Sequence, residues 1–256
     1  IDVTNELTGR SAVVTGGGRG IGRAIAVGLA EQGVDRIALI ARSADQLADA
    51  ARAVESAGAR TKIIPADLGR LDLLPAVADD LTRELGSVDI LINNAAVVAP
   101  LGPTTDVAMS AYLNTLALNV VAVAGLSALL VPGMRERGWG RIVNVSSGAA
   151  AHPTGMIGGN AYVTSKAALE AHSVNLAAEL KGTGITVNVY RPGMVDTAMQ
   201  GWIREQDPSV LGQLHERFVG YRERGLLITP EDSASKLLPR LAGDGSGEVW
   251  NVDDAV

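Results

Sequence analysis

The chain has 256 residues, 47% hydrophobic and 20% charged, enough apolar sequence to bury a large core. A formal net charge of -6 excludes the broad basic face that nucleic acid or an anionic membrane surface requires, so neither is expected as a partner. The absence of cysteine removes disulfides, thiolate metal ligands and cysteine nucleophiles together, and no metal site is assigned.

Short β-branched runs alternate with longer amphipathic stretches along the chain. Strands are expected over 12–15, 36–41, 61–65, 88–93, 140–146, 185–191 and 248–252, and helical patterns over 20–32, 44–57 and 71–85 separate the first four. This order predicts an α/β fold, a doubly wound, mostly parallel seven-stranded sheet with helices on both faces. No repeat, low-complexity tract or linker interrupts it, so residues 1–256 are expected to form one domain. The apolar run 116–134 has about the length of a bilayer helix. Asn119, Ser127, Pro132 and Gly133 interrupt it, which fits a core helix, or one shared with a subunit partner, better than a span. No signal peptide is visible, and a cytosolic setting is expected.

The first chemical motif follows the first strand: Thr15-Gly16-Gly17-Gly18-Arg19-Gly20-Ile21-Gly22, opening directly into a helix. Glycines there permit a tight turn and close approach of a pyrophosphate, which the unpaired amides of a helix N-terminus can hold. A plain glycine-rich turn is the alternative, and the strand-then-helix context favours a dinucleotide. No Lys-Ser or Lys-Thr follows, which rules out a nucleoside-triphosphate loop.

Further on, Tyr162 and Lys166 lie four residues apart in an apolar helical segment, so their side chains share one face. The spacing alone is weak, because many surface helices contain it. Taken with the glycine loop, Asn93-Asn94-Ala95-Ala96, Asn119, Ser146-Ser147 and Pro192-Gly193 with Thr197, it resembles the short-chain dehydrogenase/reductase family in its compact, single-domain Rossmann-type branch. The resemblance covers about residues 8–252.

That resemblance implies roles for individual positions. Gly16, Gly20 and Gly22 would border the pyrophosphate, with Gly18, Arg19 and Ile21 in the same loop; Asp67 and Leu68 would sit on the adenine side; Asn93 and Ala95 would line the nucleotide cleft. Pro192, Gly193, Val195 and Thr197 would hold the nicotinamide carboxamide. Each has a bland alternative: Asp67 as a helix or turn cap, Asn93 as a tie between strands, Pro-Gly as a simple turn. Tyr162 would be the general acid/base, Lys166 its cationic partner, Ser147 the hydrogen-bond donor to the reacting oxygen, and Asn119 the holder of a relay water. Working near neutral pH, a phenol with an ordinary pKa near 10 needs a depression of roughly two to three units, for which Lys166 and an oxidised nicotinamide supply the right sign of field.

Cofactor choice rests on the end of the second strand. An NAD-preferring site places a carboxylate there for the ribose 2′-hydroxyl. Here Ala41 takes that place, Arg42 follows, and Arg19 is close by in the glycine loop, so NADP(H) is expected.

Other features stay open in the sequence. The Ser147 to Tyr162 connection is longer than the family pattern suggests, so Ser146 or Ala149 could stand in for Ser147, and His152 in the loop could contact substrate. Residues 198–225 hold Trp202, Phe218 and Tyr221, either as an apolar substrate lid or as a charged helix pair packing on the core. Arg135, Arg137, Arg141 and Lys181 raise the alternative of a 3-oxoacyl-[acyl-carrier-protein] reductase meeting an acidic carrier, or serve only as helix-end charge. A ketone or secondary alcohol ranks ahead of a carrier-bound substrate. A non-catalytic NADP-binding sensor or scaffold is the reading of another class, disfavoured because Asn119, Ser147, Tyr162 and Lys166 are all present. By the same resemblance a homo-oligomer, tetramer or dimer, is expected to cover the apolar helices.

Overall fold

A computed structural model describes residues 6–255; residues 1–5 and 256, the ends of the expected single domain, lie outside the described range. Seven strands form one sheet: β1 Ser11–Thr15, β2 Arg36–Ala41, β3 Arg60–Pro65, β4 Ile90–Asn93, β5 Gly140–Val145, β6 Ile185–Arg191 and β7 Val249–Asn251. Their order is β3-β2-β1-β4-β5-β6-β7 and every neighbouring pair is parallel. The order reverses between β1 and β4, which opens a crevice at the carboxyl ends of those two strands.

The helices are α1 Gly20–Glu31, α2 Ala44–Ser56, α3 Leu74–Leu85, α4 Met109–Leu116, α5 Ala122–Arg137, α6 Gly148–Ala151, α7 Asn160–Glu179, α8 Ala198–Arg204, α9 Pro208–Leu211, α10 Gln213–Glu223 and α11 Pro230–Leu237. Strand alternation sorts the core into two layers. Ala12, Val14, Ile37 and Leu39 face one apolar cluster with α1, α2 and α11, whereas Val13, Ala38 and Ile40 face another with α3 and α5.

Most element ends fall within one residue of those expected, and three larger departures each have a local reason. β4 begins at Ile90 rather than 88, where the Asp89 carboxylate accepts the Ser11 amide at 3.0 Å and its hydroxyl at 3.2 Å. The stretch from 71 splits into a 3-10 turn, Leu71–Leu73, and α3, whose second residue is Pro75, a position where no amide is needed. The long apolar run is divided by a π-helical turn, Ala117–Val121, between α4 and α5.

Candidate active site

The glycine loop leaves β1 and enters α1 with its first turn uncapped. Arg19 at the N-cap makes no side-chain hydrogen bond there, whereas Ser43 caps α2 by accepting the Gln46 amide at 3.3 Å. An uncapped twelve-residue helix presents free amides and the positive end of its dipole to whatever fills the crevice. The loop is also too tight for side chains. Gly16 has φ 66°, and a Cβ there would lie 2.8 Å from Asn94 Nδ2. At Gly22 a Cβ would come 2.4 Å from the Gly16 carbonyl oxygen.

The resulting cleft has a volume of about 440 Å³ and gathers most of the expected residues: Gly16, Gly18, Arg19, Gly20, Ile21, Arg42, Asp67, Leu68, Ala95, Ser147, Tyr162, Lys166, Pro192, Gly193, Val195 and Thr197 all line it. Residues far apart in the chain meet here. A Cβ on Gly20 would lie 3.5 Å from Thr197 Cγ2, so the pyrophosphate loop and the segment after β6 face each other. Gly193, at φ 80°, lets that segment turn, and the bridge between Val195 and Ile228 holds it. These amides, glycines and cations fit a nicotinamide dinucleotide.

Three expected residues are not on the wall. Gly22 lies behind it, holding α1 against the glycine loop. Asn93 is buried in the sheet, where its Nδ2 donates to Asn144 Oδ1 at 2.8 Å and ties β4 to β5. Its neighbour Asn94 lines the cleft instead, donating from Nδ2 to the Thr15 carbonyl at 3.0 Å; a strand side chain one position on points the other way. Asn119 sits in the π-helical turn, 1% exposed, with both side-chain ends committed: Oδ1 accepts from the Val97 amide and Nδ2 donates to the Val97 carbonyl and to Ser165 Oγ, each at 2.9 Å. Through these bonds Asn119 positions the loop after β4 against α7.

Tyr162 and Lys166 occupy the first turns of α7, both nearly buried. Lys166 Nζ donates to the Val145 carbonyl at 2.7 Å and lies 5.7 Å from the Tyr162 ring centre. Burial lowers its pKa to about 8, against the opposing influence of Glu170 one turn on. The phenol does not show the depression expected from the sequence. Burial raises its pKa, and a hydrogen bond with Ser147 acts in the opposite sense.

Ser146, Ser147 and Ala149 differ in their partners. Ser146 Oγ donates to Glu170 Oε1 at 2.7 Å, and Arg191 holds the same carboxylate from Nε at 2.8 Å and Nη2 at 2.7 Å. Ser147 caps α6 and reaches Tyr162, while Ala149 packs with the apolar cluster beside the cleft. The extra length of the connection is taken up by α6 and the 3-10 turn Pro153–Met156, and His152 is exposed away from the cleft wall.

Segment 198–225 folds as α8, α9 and α10. Ile203 and Phe218 line the cleft; Trp202, the aromatic favoured for a lid, is 36% exposed and does not. Tyr221 stacks edge-on with Phe218, at 5.8 Å and 68°, and Arg217 donates to the Gly155 carbonyl, closing α10 onto the loop before α7. Two of the four cations raised for a carrier partner lie elsewhere. Arg137 donates to the Val88 carbonyl at 2.6 Å, and Arg141, 3% exposed, binds the Leu241 carbonyl and Asp244. Both are at the amino ends of β4 and β5, opposite the cleft.

Comparison with known proteins agrees with this geometry. The family model for short chain dehydrogenases matches residues 10–208. Ketoacyl reductase HetN of Nostoc sp. is 34% identical over 207 residues, covering 80% of this chain and 71% of that protein. The chain spans 62%, 71% and 72% of the length of three curated relatives that it matches. Among solved structures, L-sorbose reductase from Gluconobacter frateurii, complexed with NADPH and L-sorbose, superposes with a TM-score of 0.85 at 31% identity, covering 96% of this chain and 95% of that one. NAD+-bound xylitol dehydrogenase gives 0.83 at 25% identity, with 96% and 98% covered. Sequence motif, cleft and relatives converge: the chain belongs to the short-chain dehydrogenase/reductase family of nicotinamide-dependent carbonyl and alcohol oxidoreductases.

Proposed function

We propose that the protein is an NADP(H)-dependent reductase of ketones, with Tyr162 as the acid in reduction and the base in the reverse reaction. The carrying observation is the meeting of Ser147, Tyr162 and Lys166 on one wall of a cleft whose other end is the uncapped glycine loop. Bound nicotinamide supplies the hydride. Tyr162 Oη holds the proton destined for the carbonyl oxygen, and its burial disfavours the phenolate. Ser147 Oγ, at the same wall, is placed to orient that oxygen. Lys166, fixed on the Val145 carbonyl, keeps positive charge beside the phenol as the proton leaves it.

The preference for the 2′-phosphate is supported by charge. Arg19 and Arg42 line the cleft beside Ala41 and Ser43, and neither has an ion-pair partner among the described residues. Two such guanidiniums suit a phosphate, and Ala41 offers no carboxylate to a ribose hydroxyl. Assembly through α4 and α5 completes the reading: the helical stretch Met109–Arg137 is only 39% buried in its most apolar window, and it exposes Met109, Leu113, Val121 and Leu129 while Leu126, Leu130 and Met134 pack on the sheet. A second copy of this chain would cover that face.

NADPH oxidation by the purified protein with a panel of ketones tests the activity. Tyr162→Phe is expected to abolish it while NADPH still binds, and retained turnover in that variant contradicts the mechanism.

A further inference from the structure

Beyond Tyr162 the cleft changes character. Its charged lining residues are Arg19, Arg42 and Asp67 at the adenosine end, and Lys166, whose ammonium is held by Val145. The opposite end is walled by Val98, Met156, Met194, Met199, Ile203 and Phe218. Ile157, next in sequence to the lining residue Met156, is 72% exposed, and Val210 is 50% exposed. The loop after β4 meets both segments: the Gly102 amide donates to the Gly158 carbonyl at 2.8 Å, and a Cβ on Gly102 would lie 3.6 Å from Val210 Cγ1.

α8 carries two buried polar atoms without a hydrogen-bond partner, Gln200 Oε1 and Arg204 Nη1, and of these two residues only Gln200 lines the cleft. Gln200, in the first turn of α8, is 8% exposed and lines the cleft, and its Oε1 is buried without a hydrogen-bond partner. Ser146 is committed to Glu170 and Asn94 to Thr15, so Gln200 is the amide left to read a ligand.

Resting on the oxidoreductase reading above, we infer that the substrate is a ketone on an apolar body bearing one further hydroxyl, which Gln200 binds, rather than a sugar or polyol. Each hydroxyl of a polyol would lose water against methionine and phenylalanine and find no partner. Among the described residues that line this end there is no cation to meet a carboxylate or phosphate. An apolar body gains from burial there, and the three methionines adapt to its shape. A single hydroxyl meets an amide that is already desolvated, which makes Gln200 a discriminating contact.

The test measures kcat/KM of the full chain with NADPH for 4-phenyl-2-butanone, its three ring-hydroxylated isomers and L-sorbose. The expected result is that L-sorbose lies at least about 100-fold below the best ketone and that one hydroxylated isomer exceeds the parent by about tenfold. In Gln200→Met, or Gln200→Leu, that isomer's advantage is expected to disappear. L-sorbose matching the ketones, or no isomer exceeding the parent, overturns the substrate class while leaving the reductase reading intact. An advantage that survives in both variants, or a tenfold weakening of NADPH binding in them, removes Gln200 from the substrate. Absence of turnover with every carbonyl while NADPH is bound overturns the reductase reading itself, and this inference with it.

Discussion

Ser146 donates its hydroxyl to Glu170 at 2.7 Å, and so leaves its neighbour Ser147 as the serine that meets Tyr162. Ser147→Ala is therefore expected to lower kcat by about 10²–10³-fold, the usual cost of one donor to a reacting oxygen. Ser146 also lines the cleft, but its hydroxyl is engaged by Glu170, so Ser146→Ala is expected to cost about tenfold or less. Steady-state kinetics on the two variants decide it, and the reverse ranking would exchange their roles.

Arg19 and Arg42 carry the proposed cofactor preference. Arg42→Ala is expected to raise KM for NADPH by about 10- to 100-fold with little change for NADH, consistent with loss of a charge-assisted phosphate contact worth about 1.5–3 kcal/mol. The double variant with Arg19→Ala should extend the effect. Equal changes for both cofactors would show that these arginines do not read the phosphate.

Lys166 gives a pH dependence of stability with a definite sign. Its pKa falls from 10.5 to about 8 on folding, so both states are protonated below pH 8, and between pH 8 and 10.5 the unfolded chain holds the proton that the folded one has shed. Stability from this group therefore rises across that window. Compared with Lys166→Met in urea titrations, the wild type is expected to gain on the order of 3 kcal/mol between pH 8 and 10.5. A difference that stays flat with pH would contradict the buried, low-pKa lysine.

The exposed face of α4 and α5 predicts an oligomer. Sedimentation of the wild type is expected to show a dimer or tetramer, and Leu113→Glu, at a residue 63% exposed in the single chain, should shift it towards smaller species without loss of fold. A wild type that stays monomeric at micromolar concentration would refute this surface as an interface.

The sequence by itself determined the strand and helix order, the glycine loop and the Tyr162/Lys166 face. These are local signals: periods of two and 3.6, and glycines where a tight turn admits nothing larger. Tertiary structure alone decided what these polar side chains meet. Asn93 turned into the sheet and Asn94 out of it, Ser146 met Glu170 from α7, and Asn119 closed on Val97, because those partners are set by register and packing between distant segments. Phe218 rather than Trp202 reached the cleft, and Arg137 and Arg141 fell at its far side, because the turn of a helix and the end of a strand fix a side chain's direction only once the element is docked.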